Sequence, residues 1–489
     1  MNVHLLTPEG QAAPESLLIL AKENLTPDLE INALLDGISG KDKCMRDTLY
    51  AAIYAPLQDK KLIDFRQEAL KDAIAHPAEV RALYDLCLEA EARRAESAHW
   101  RLNLYHDTTF TGAVDYLMNF TKTLIKLRKL AEADSSLFRS AAFTGLFRTL
   151  KEELSDDYLN TVKNELNGLN ITDGIFISAS LGSYLQGVNY VMHRREKKLF
   201  GLDRLKGQTY KLDENDDATG RDMPGRQDRA INEATNALAQ AAEHLASFFD
   251  VLRSELSFYV GCLNFMDMMK GYGMPTCIPT LTDASSYSRS WEELTDVALI
   301  CLKKSAVTGN TLSSDNKHLY IVTGANKGGK TTFLRSFGQA QLMAQCGMPV
   351  AAKSFTAPLR GSLYSHFKRE EDKYMQSGKL DDELERLNLI ANKIKRGDVI
   401  MFNEAFSSTN EREGSEIARQ ITQALLEAGV EIVFVSHQHA YATSFKGRDE
   451  VQFLRAERLD DGGRTFRILP GEPLETAFGE DIYKRVFKV

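Results

Sequence analysis

Residues 318–337, HLYIVTGANKGGKTTFLRSF, constrain the fold more than any other part of the chain. A short apolar segment runs into a glycine-rich turn, in which Gly324, Gly329, Lys330 and Thr331 satisfy the spacing G-x-x-x-x-G-K-[ST]. Glycines let the backbone wrap around a phosphate with its N–H groups inward, and the dipole of a following helix adds positive potential. The stretch therefore predicts a strand, a phosphate-binding loop and a helix. The alternative is an ordinary glycine-rich turn.

The two polar residues at the end of this loop have distinct predicted roles. Lys330 would reach the β- and γ-phosphates of a nucleotide, and the hydroxyl of Thr331 would lie on Mg²⁺. The pattern alone is compatible with many folds that use ATP or GTP.

Composition limits the classes of function. The chain has 489 residues, of which 43% are hydrophobic and 26% charged, which is typical of a globular protein of about two to four domains. Its net charge of −8 gives no general attraction to nucleic acid, so any DNA contact needs a local basic surface. The six cysteines form no C-x-x-C pair, which indicates neither a zinc site nor a disulfide framework. With no signal-peptide pattern and no long apolar run, we expect a cytoplasmic protein that does not contact membranes.

The N-terminal half has the pattern of a helical domain. After a lead-in over residues 1–40, residues 41–273 are rich in Leu, Ala, Glu, Lys and Arg, with apolar residues at helical spacing. From Ala230 a helical pattern of roughly forty residues has no proline, and it has no glycine before Gly261. Such a helix would extend about 60 Å. It could transmit displacement between distant parts of the molecule, or it could be one arm of a packed helix pair.

A different pattern interrupts this half at residues 168–200. Apolar and polar residues alternate around a turn at Leu181–Gly182, which predicts a β-hairpin. Residues 201–229 are polar and poor in aromatics, which predicts a mobile loop. A basic cluster lies at the end of the hairpin; such clusters are usually solvated surfaces, and the alternative is a patch that contacts DNA phosphates. The cluster consists of His193, Arg194, Arg195, Lys197 and Lys198.

From residue 274 to the C-terminus, strands and helices alternate in an α/β pattern. The apolar runs YIV, VIMF and IVFV are typical of parallel strands buried on both faces. Because the carboxyl ends of parallel strands meet at one edge of a sheet, the residues that follow these runs should lie near one ligand.

Two of these strand ends carry candidate functional residues. VIMF is followed by Asn403 and Glu404, a Walker B pattern in which Glu404 would polarise the attacking water and Asn403 would hold the Mg²⁺ shell. An amide has no charge where an aspartate is usual, so we expect reduced Mg²⁺ affinity or turnover. The alternative is a simple strand-end turn. His437 follows the next strand and would sense the γ-phosphate, whereas His439 is expected to be structural.

These motifs together resemble the MutS family of mismatch-repair ATPases. TGANKGGKTTFLR is similar to TGPNMGGKST of that family, and AQCGMPVAA to its AQ-x-G-x-x-VPA. FNEAFSSTNEREG is similar to DE-x-GRGTS-x-x-DG, and FVSHQHA to FATH-x-H-E. Order and spacing agree over residues 315–445. The tail from residue 451 resembles the closing strands of the family, and PLQDKKLIDFRQEAL resembles the start of its core, or lever, domain.

The resemblance implies a helical lever and clamp domain followed by an ABC-type P-loop ATPase domain, with ATP and Mg²⁺ as cofactors. It implies a dimer in which a serine-containing loop of one subunit completes the site of the other, and Ser377 in YMQSGKLDDEL is the candidate. The implied catalytic residues are Lys330, Glu404 and His437, and the residues beside the metal are Thr331 and Asn403. The residues implied to bind the nucleotide are Gly324, Ala325, Asn326, Lys327, Gly328, Gly329, Lys330, Thr331, Thr332, Gln345 and Ser377.

In function, the resemblance implies an ATP hydrolase that acts on DNA in repair or recombination as a nucleotide-gated clamp. The alternative is a nucleotide-driven switch that binds a protein partner and no DNA. The chain departs from the family pattern in several places: Ala325 replaces its proline, Lys327 its methionine, and residues 406–409 its GRGT. No F-x-E wedge motif occurs before the Walker B strand, and the chain has no room for the N-terminal mismatch-recognition domain, so we do not expect that domain. Because the chain ends soon after the ATPase motifs, we do not expect the C-terminal Smr nuclease tail either.

Overall fold

The computed structural model describes eight segments of the chain, and its contacts divide into two compact units. The first unit is Met1–Leu5 with His76–Leu256, and the second is Leu6–Ala75 with Ser257–Val489. This division differs from the predicted boundaries at residues 40 and 273. The described residues are 2–11, 22–97, 106–169, 176–183, 187–193, 217–369, 378–459 and 463–474.

The described residues form both helices and strands, numbered here in chain order. The helices are α1 (Lys22–Asp28), α2 (Ile31–Ser39), α3 (Lys43–Tyr54), α4 (Lys60–Ala75), α5 (Pro77–Ser97), α6 (His106–Asp134), α7 (Ala141–Glu153), α8 (Asp156–Gly168), α9 (Asp217–Gly271), α10 (Val297–Lys303), α11 (Lys330–Gln345), α12 (Lys379–Ala391), α13 (Glu411–Glu427) and α14 (His439–Thr443). The strands are β1 (Phe176–Leu181), β2 (Gly187–His193), β3 (Thr280–Thr282), β4 (Arg289–Leu294), β5 (Asn310–Ser314), β6 (Leu319–Thr323), β7 (Ser354–Pro358), β8 (Leu363–Phe367), β9 (Val399–Asn403), β10 (Glu431–Val435), β11 (Val451–Arg458) and β12 (Arg464–Pro470). None of the helices in the described segments combines the length and apolarity needed to cross a membrane.

The first unit is helical, as the periodicity predicts. Its helices begin at local signals: the Ser140 hydroxyl accepts a hydrogen bond from the Phe143 amide at the start of α7, and Ser155 does the same for Tyr158 at the start of α8. Phe138 packs against Phe143 and Phe147, whose ring centroids lie 4.8 and 5.0 Å from its own. These aromatic rings make the core around α7.

The predicted hairpin is confirmed. β1 and β2 pair antiparallel, and Leu181, predicted to be in the turn, is the last residue of β1 and lies opposite Gly187. Residues 184–186 lie outside the described residues. Arg194, Arg195, Lys197 and Lys198 lie outside the described residues.

The predicted loop at residues 201–229 is wrong in its second part, because α9 already begins at Asp217. Adding residues to an existing helix carries no nucleation cost, so a polar segment with weak helix formers can extend the long helix behind it. Residues 201–216 lie outside the described part of the chain.

The second unit contains two sheets. The larger has the strand order β12-β11-β6-β10-β9-β8, in which only the β11–β12 pair is antiparallel. The smaller has the order β3-β7-β4-β5. All residues of β6 and β10 are buried, as the apolar runs predict. The α/β prediction for this region is therefore confirmed, with the three predicted strands adjacent at the centre of the larger sheet.

Residues 22–40 of the lead-in fold with this second unit, and they contact α11. A side chain on Gly338 would meet Leu29, whose own side chain is fully buried. The Gln339 amide donates to the Leu29 carbonyl at 3.0 Å, and Arg335 forms an ion pair with Glu30. Apolar residues that the sequence shows only as short amphipathic pieces are thus part of the α/β core.

A buried ion network joins the two sheets at the amino end of β10. Glu431 accepts hydrogen bonds from Arg289 at 2.5 and 3.0 Å and from Arg360 at 2.5 Å, and all three side chains are buried. Burial alone would raise the pKa of Glu431, but the two guanidinium groups outweigh this effect and hold the pKa below its usual value. Arg289 also donates to Gln341 on α11 at 2.7 Å, so the network fixes the helix behind the phosphate loop.

Candidate nucleotide site

The ends of three central strands are held together by backbone hydrogen bonds. The Glu404 amide after β9 donates to the Val435 carbonyl of β10 at 2.9 Å, and the Ser436 amide donates to the Val322 carbonyl of β6 at 3.0 Å. The phosphate loop, the Asn403–Glu404 pair and the SHQH segment therefore start from one edge of the sheet, as the parallel arrangement predicts.

The phosphate loop lies under the β11–β12 hairpin and has no room for larger side chains. Gly324 and Gly329 have φ values of 117° and 94°, which favour glycine. A Cβ on Gly329 would stand 3.0 Å from the Phe466 carbonyl oxygen, and one on Gly324 would stand 2.9 Å from Ala456 Cβ. Both glycines are thus required by backbone conformation and by the close approach of the hairpin.

Lys330 is the first residue of α11, and its side chain folds back over the loop. Its ammonium donates to the Gly324 carbonyl at 2.8 Å and the Ala325 carbonyl at 3.1 Å. The residue is only 5% exposed, and this burial lowers the pKa of Lys330; Glu404 acts in the opposite sense, and Arg464 on β12 lowers the pKa further. A buried ammonium held by two loop carbonyls is suited to binding an anion that enters the loop.

Thr331 connects the loop to the neighbouring strand. Its hydroxyl donates to Asn403 Oδ1 at 3.3 Å. Hydroxyl and amide oxygens are hard donors that Mg²⁺ accepts, directly or through water. The residues present therefore fit the predicted metal, with Asn403 as an uncharged member of the donor set.

The peptide of Phe406, two residues after Glu404, is held from both sides. Its amide donates to Glu383 Oε1 of α12 at 2.7 Å, and its carbonyl accepts from Gln438 Nε2 at 3.1 Å. Glu404 and Phe406 have φ values of 54° and 57°, which are uncommon for residues other than glycine. Both partners are buried, so the strained turn is stabilised by groups from two other elements.

Glu383 was not among the predicted site residues. The signal for it is its position in YMQSGKLDDEL, six residues after Ser377, the serine that the family resemblance implies for the shared site. Its other neighbour is His366, a fully buried residue whose Nε2 lies 3.6 Å from Glu383 Oε1.

Cavities beside the predicted site residues open at this edge. Gly324 and His437 line one of about 290 Å³, and Asn403 and Glu404 line one of about 780 Å³. Ser407 lines both. His437 is exposed at the end of β10, and His439 is the first residue of α14. The structure thus brings His437 and the loop to one cavity and the Walker B pair to its neighbour.

The remaining predicted residues divide into two groups. Asn326 and Lys327 are exposed at the tip of the loop, Ala325 and Gly328 are buried within it, and Thr332 is partly buried at the start of α11. Ser377 lies outside the described residues, and α12 begins just after Gly378.

Gln345 needs a correction, because it is the last residue of α11, about 22 Å along the helix from Lys330. Its amide nitrogen donates to the carbonyls of Leu57 and Arg360, and its amide oxygen accepts from the Arg360 amide. Gln345 therefore joins structural elements and does not contact the phosphate loop.

Two family models match the chain over separate regions. The model of the MutS2 N-terminal domain matches residues 58–272, and that of MutS domain V matches residues 320–466, which include the phosphate loop, Glu404 and His437. The chain belongs to the MutS family.

Individual relatives agree with this assignment. This MutS-family chain is 28% identical over 144 residues to endonuclease MutS2 of Thermus thermophilus, covering 29% of the chain and 19% of the relative. It is 28% identical over 131 residues to DNA mismatch repair protein MutS of Thermotoga neapolitana, covering 27% and 16%. It is 23% identical over 198 residues to mouse MutS protein homolog 4, covering 38% and 20%. The matched part of the chain thus spans about a fifth or less of the length of these relatives.

Proposed function

We propose that this MutS-family chain binds ATP with Mg²⁺ at its phosphate loop and hydrolyses the nucleotide. The observation that carries the proposal is the hydrogen bond from Thr331 to Asn403. A nucleotide hydrolase needs its phosphate loop and its Walker B strand end side by side, and this bond joins the two. The match of residues 320–466 to MutS domain V supports the same conclusion.

The protein groups would act mainly by position and charge. Lys330 would leave the loop carbonyls and neutralise phosphate oxygens, and Glu404 would accept a hydrogen bond from the attacking water. Mg²⁺, when bound, supplies further charge neutralisation at the phosphates, and Thr331 and Asn403 are the residues that would hold it. His437, which lines the smaller cavity together with Gly324, would respond to the γ-phosphate.

For the whole protein, we propose a DNA-dependent dimeric clamp that acts in repair or recombination. The match of residues 58–272 to the MutS2 N-terminal domain and the relatives named as DNA mismatch repair proteins support this proposal. Arg194, Arg195, Lys197 and Lys198 would contact DNA, and Ser377 of a second copy would complete the ATP site. The net charge of −8 favours a second candidate, a switch that binds a protein partner and no DNA.

Steady-state ATPase activity, measured with and without duplex, branched and single-stranded DNA, tests both the proposed ATP hydrolysis and its dependence on DNA. We expect Mg²⁺-dependent hydrolysis that DNA stimulates, and DNA binding that weakens with salt and with neutralisation of the four basic residues after the hairpin. Glu404→Gln should keep ATP affinity, lose turnover and accumulate as a dimer in sedimentation. Lys330→Ala is the control that should lose nucleotide binding.

The outcomes separate the proposals. Undiminished ATP affinity of Lys330→Ala would reject the phosphate-loop assignment. Hydrolysis without DNA binding at low salt, in any nucleotide state, would leave only the protein switch.

A further inference from the structure

Arg464 is a charged residue at the candidate site that no motif assigns. It is the first residue of β12, which follows residues 460–462 of the β11–β12 hairpin. Its backbone pairs with Arg458 on β11, and two residues later the Phe466 carbonyl lies against Gly329 of the phosphate loop. The start of β12 is therefore part of the wall that covers the loop.

One hydrogen-bond donor of the Arg464 guanidinium lacks an acceptor. Its Nη1 atom is buried and has no hydrogen-bond partner among the described residues. A buried N–H of a charged group without an acceptor is destabilising, and the cost exceeds that of a neutral donor. Lys330, the residue after Gly329, holds its ammonium against the Gly324 carbonyl of the same loop. Two cations near one loop, one of them lacking an acceptor, form a site that is stabilised by an anion.

We propose that Arg464 binds the phosphate groups of the nucleotide in the loop of its own subunit. The planar guanidinium offers paired donors that match phosphate oxygens, and Lys330 supplies a point charge to the same group. This inference rests on the proposed function, because it takes the nucleotide as the anion. It makes the closing hairpin of the sheet a part of the binding site and not only its cover.

Nucleotide binding measured by calorimetry on the full chain tests this role, with ATP and AMP as ligands. Arg464→Gln keeps a polar side chain without charge, and we expect its Kd for ATP to rise about 10- to 100-fold, as for loss of a charged hydrogen bond. Arg464→Lys should recover part of this loss. The Kd for AMP, which lacks the β- and γ-phosphates, should change less. Arg467→Gln, on an exposed arginine of the same strand, is the matched control and should bind ATP like the wild type.

Thermal unfolding distinguishes binding from a structural role. Without nucleotide, Arg464→Gln should be at least as stable as the wild type, because it removes a buried donor that lacks a partner. A lower Tm of the nucleotide-free variant, with an unchanged Kd for ATP, would overturn the inference. If the wild type itself does not bind ATP, the proposed function fails. If the wild type binds and Arg464→Gln binds equally well, only the role of Arg464 fails.

Discussion

The replacement Asn403→Asp tests how the uncharged amide affects Mg²⁺. Asn403 Oδ1 accepts the hydrogen bond of Thr331 at 3.3 Å, so an aspartate at the same position keeps this acceptor and adds a negative charge beside the predicted metal. Substitution of a residue that forms a hydrogen bond to a metal ligand changes the affinity for the metal by about 10- to 100-fold. The carboxylate of Glu404 lies next in the chain and repels the new charge, so we expect the lower end of this range, about tenfold tighter Mg²⁺ binding.

The assay is the Mg²⁺ concentration that half-saturates binding of a fluorescent ATP analogue, with turnover measured in parallel. Asn392→Asp adds the same charge at an exposed position after α12 and should leave the Mg²⁺ dependence unchanged. A higher half-saturating Mg²⁺ concentration for Asn403→Asp than for the wild type, or a loss of turnover at saturating Mg²⁺, would refute the reasoning. It would mean that the site requires the amide as a hydrogen-bond donor.

Two further predictions concern buried acidic residues. Glu431→Gln leaves Arg289 and Arg360 without their counter-charge, so urea unfolding should show a loss of about 3–5 kcal/mol at neutral pH. Because the pKa of Glu431 is lowered, its contribution is complete above the ordinary glutamate pKa and is lost as the pH falls through the lowered value; a difference from the wild type that grows in acid would contradict this. Glu383→Ala leaves the Phe406 amide without its acceptor, so we expect a loss of about 1–3 kcal/mol and a lower kcat with little change in ATP affinity, whereas equal kcat in steady-state assays would exclude a role for this contact.

Local patterns were sufficient to predict the central strands and the phosphate loop. The runs YIV, VIMF and IVFV are apolar because β6, β9 and β10 are buried on both faces, and the spacing of Gly324 and Gly329 follows from backbone geometry within one turn. The convergence of the strand ends follows from their parallel order.

Contacts between residues distant in sequence could not be predicted in this way. The lead-in joins the α/β unit through Leu29 and Gln339, which are 310 positions apart. Gln345 belongs to a motif, yet motif order does not reveal that it lies at the far end of α11. Glu383 and Arg464 gain their significance from Phe406 and the phosphate loop, and neither partner is adjacent in the chain. The extent of α9 was missed because polarity indicates exposure and does not exclude a helix.

The two ends of β10 contact groups with different roles: the first end contributes to stability, and the second lies at the proposed nucleotide site. Glu431 begins the strand in a buried ion network, where its carboxylate accepts hydrogen bonds from two guanidinium groups. About 13 Å further, the strand ends beside Glu404, which has a positive φ, and Arg464, on the hairpin that covers the phosphate loop, has a buried donor without an acceptor. A substitution in the first group removes interactions that exist in the free protein, so it should lower Tm at any nucleotide concentration. A substitution at Arg464 removes an interaction that forms only with ligand, so its effect on Tm should grow as ATP is added. Comparing the two across an ATP titration therefore separates residues that hold the sheet from those that bind the nucleotide.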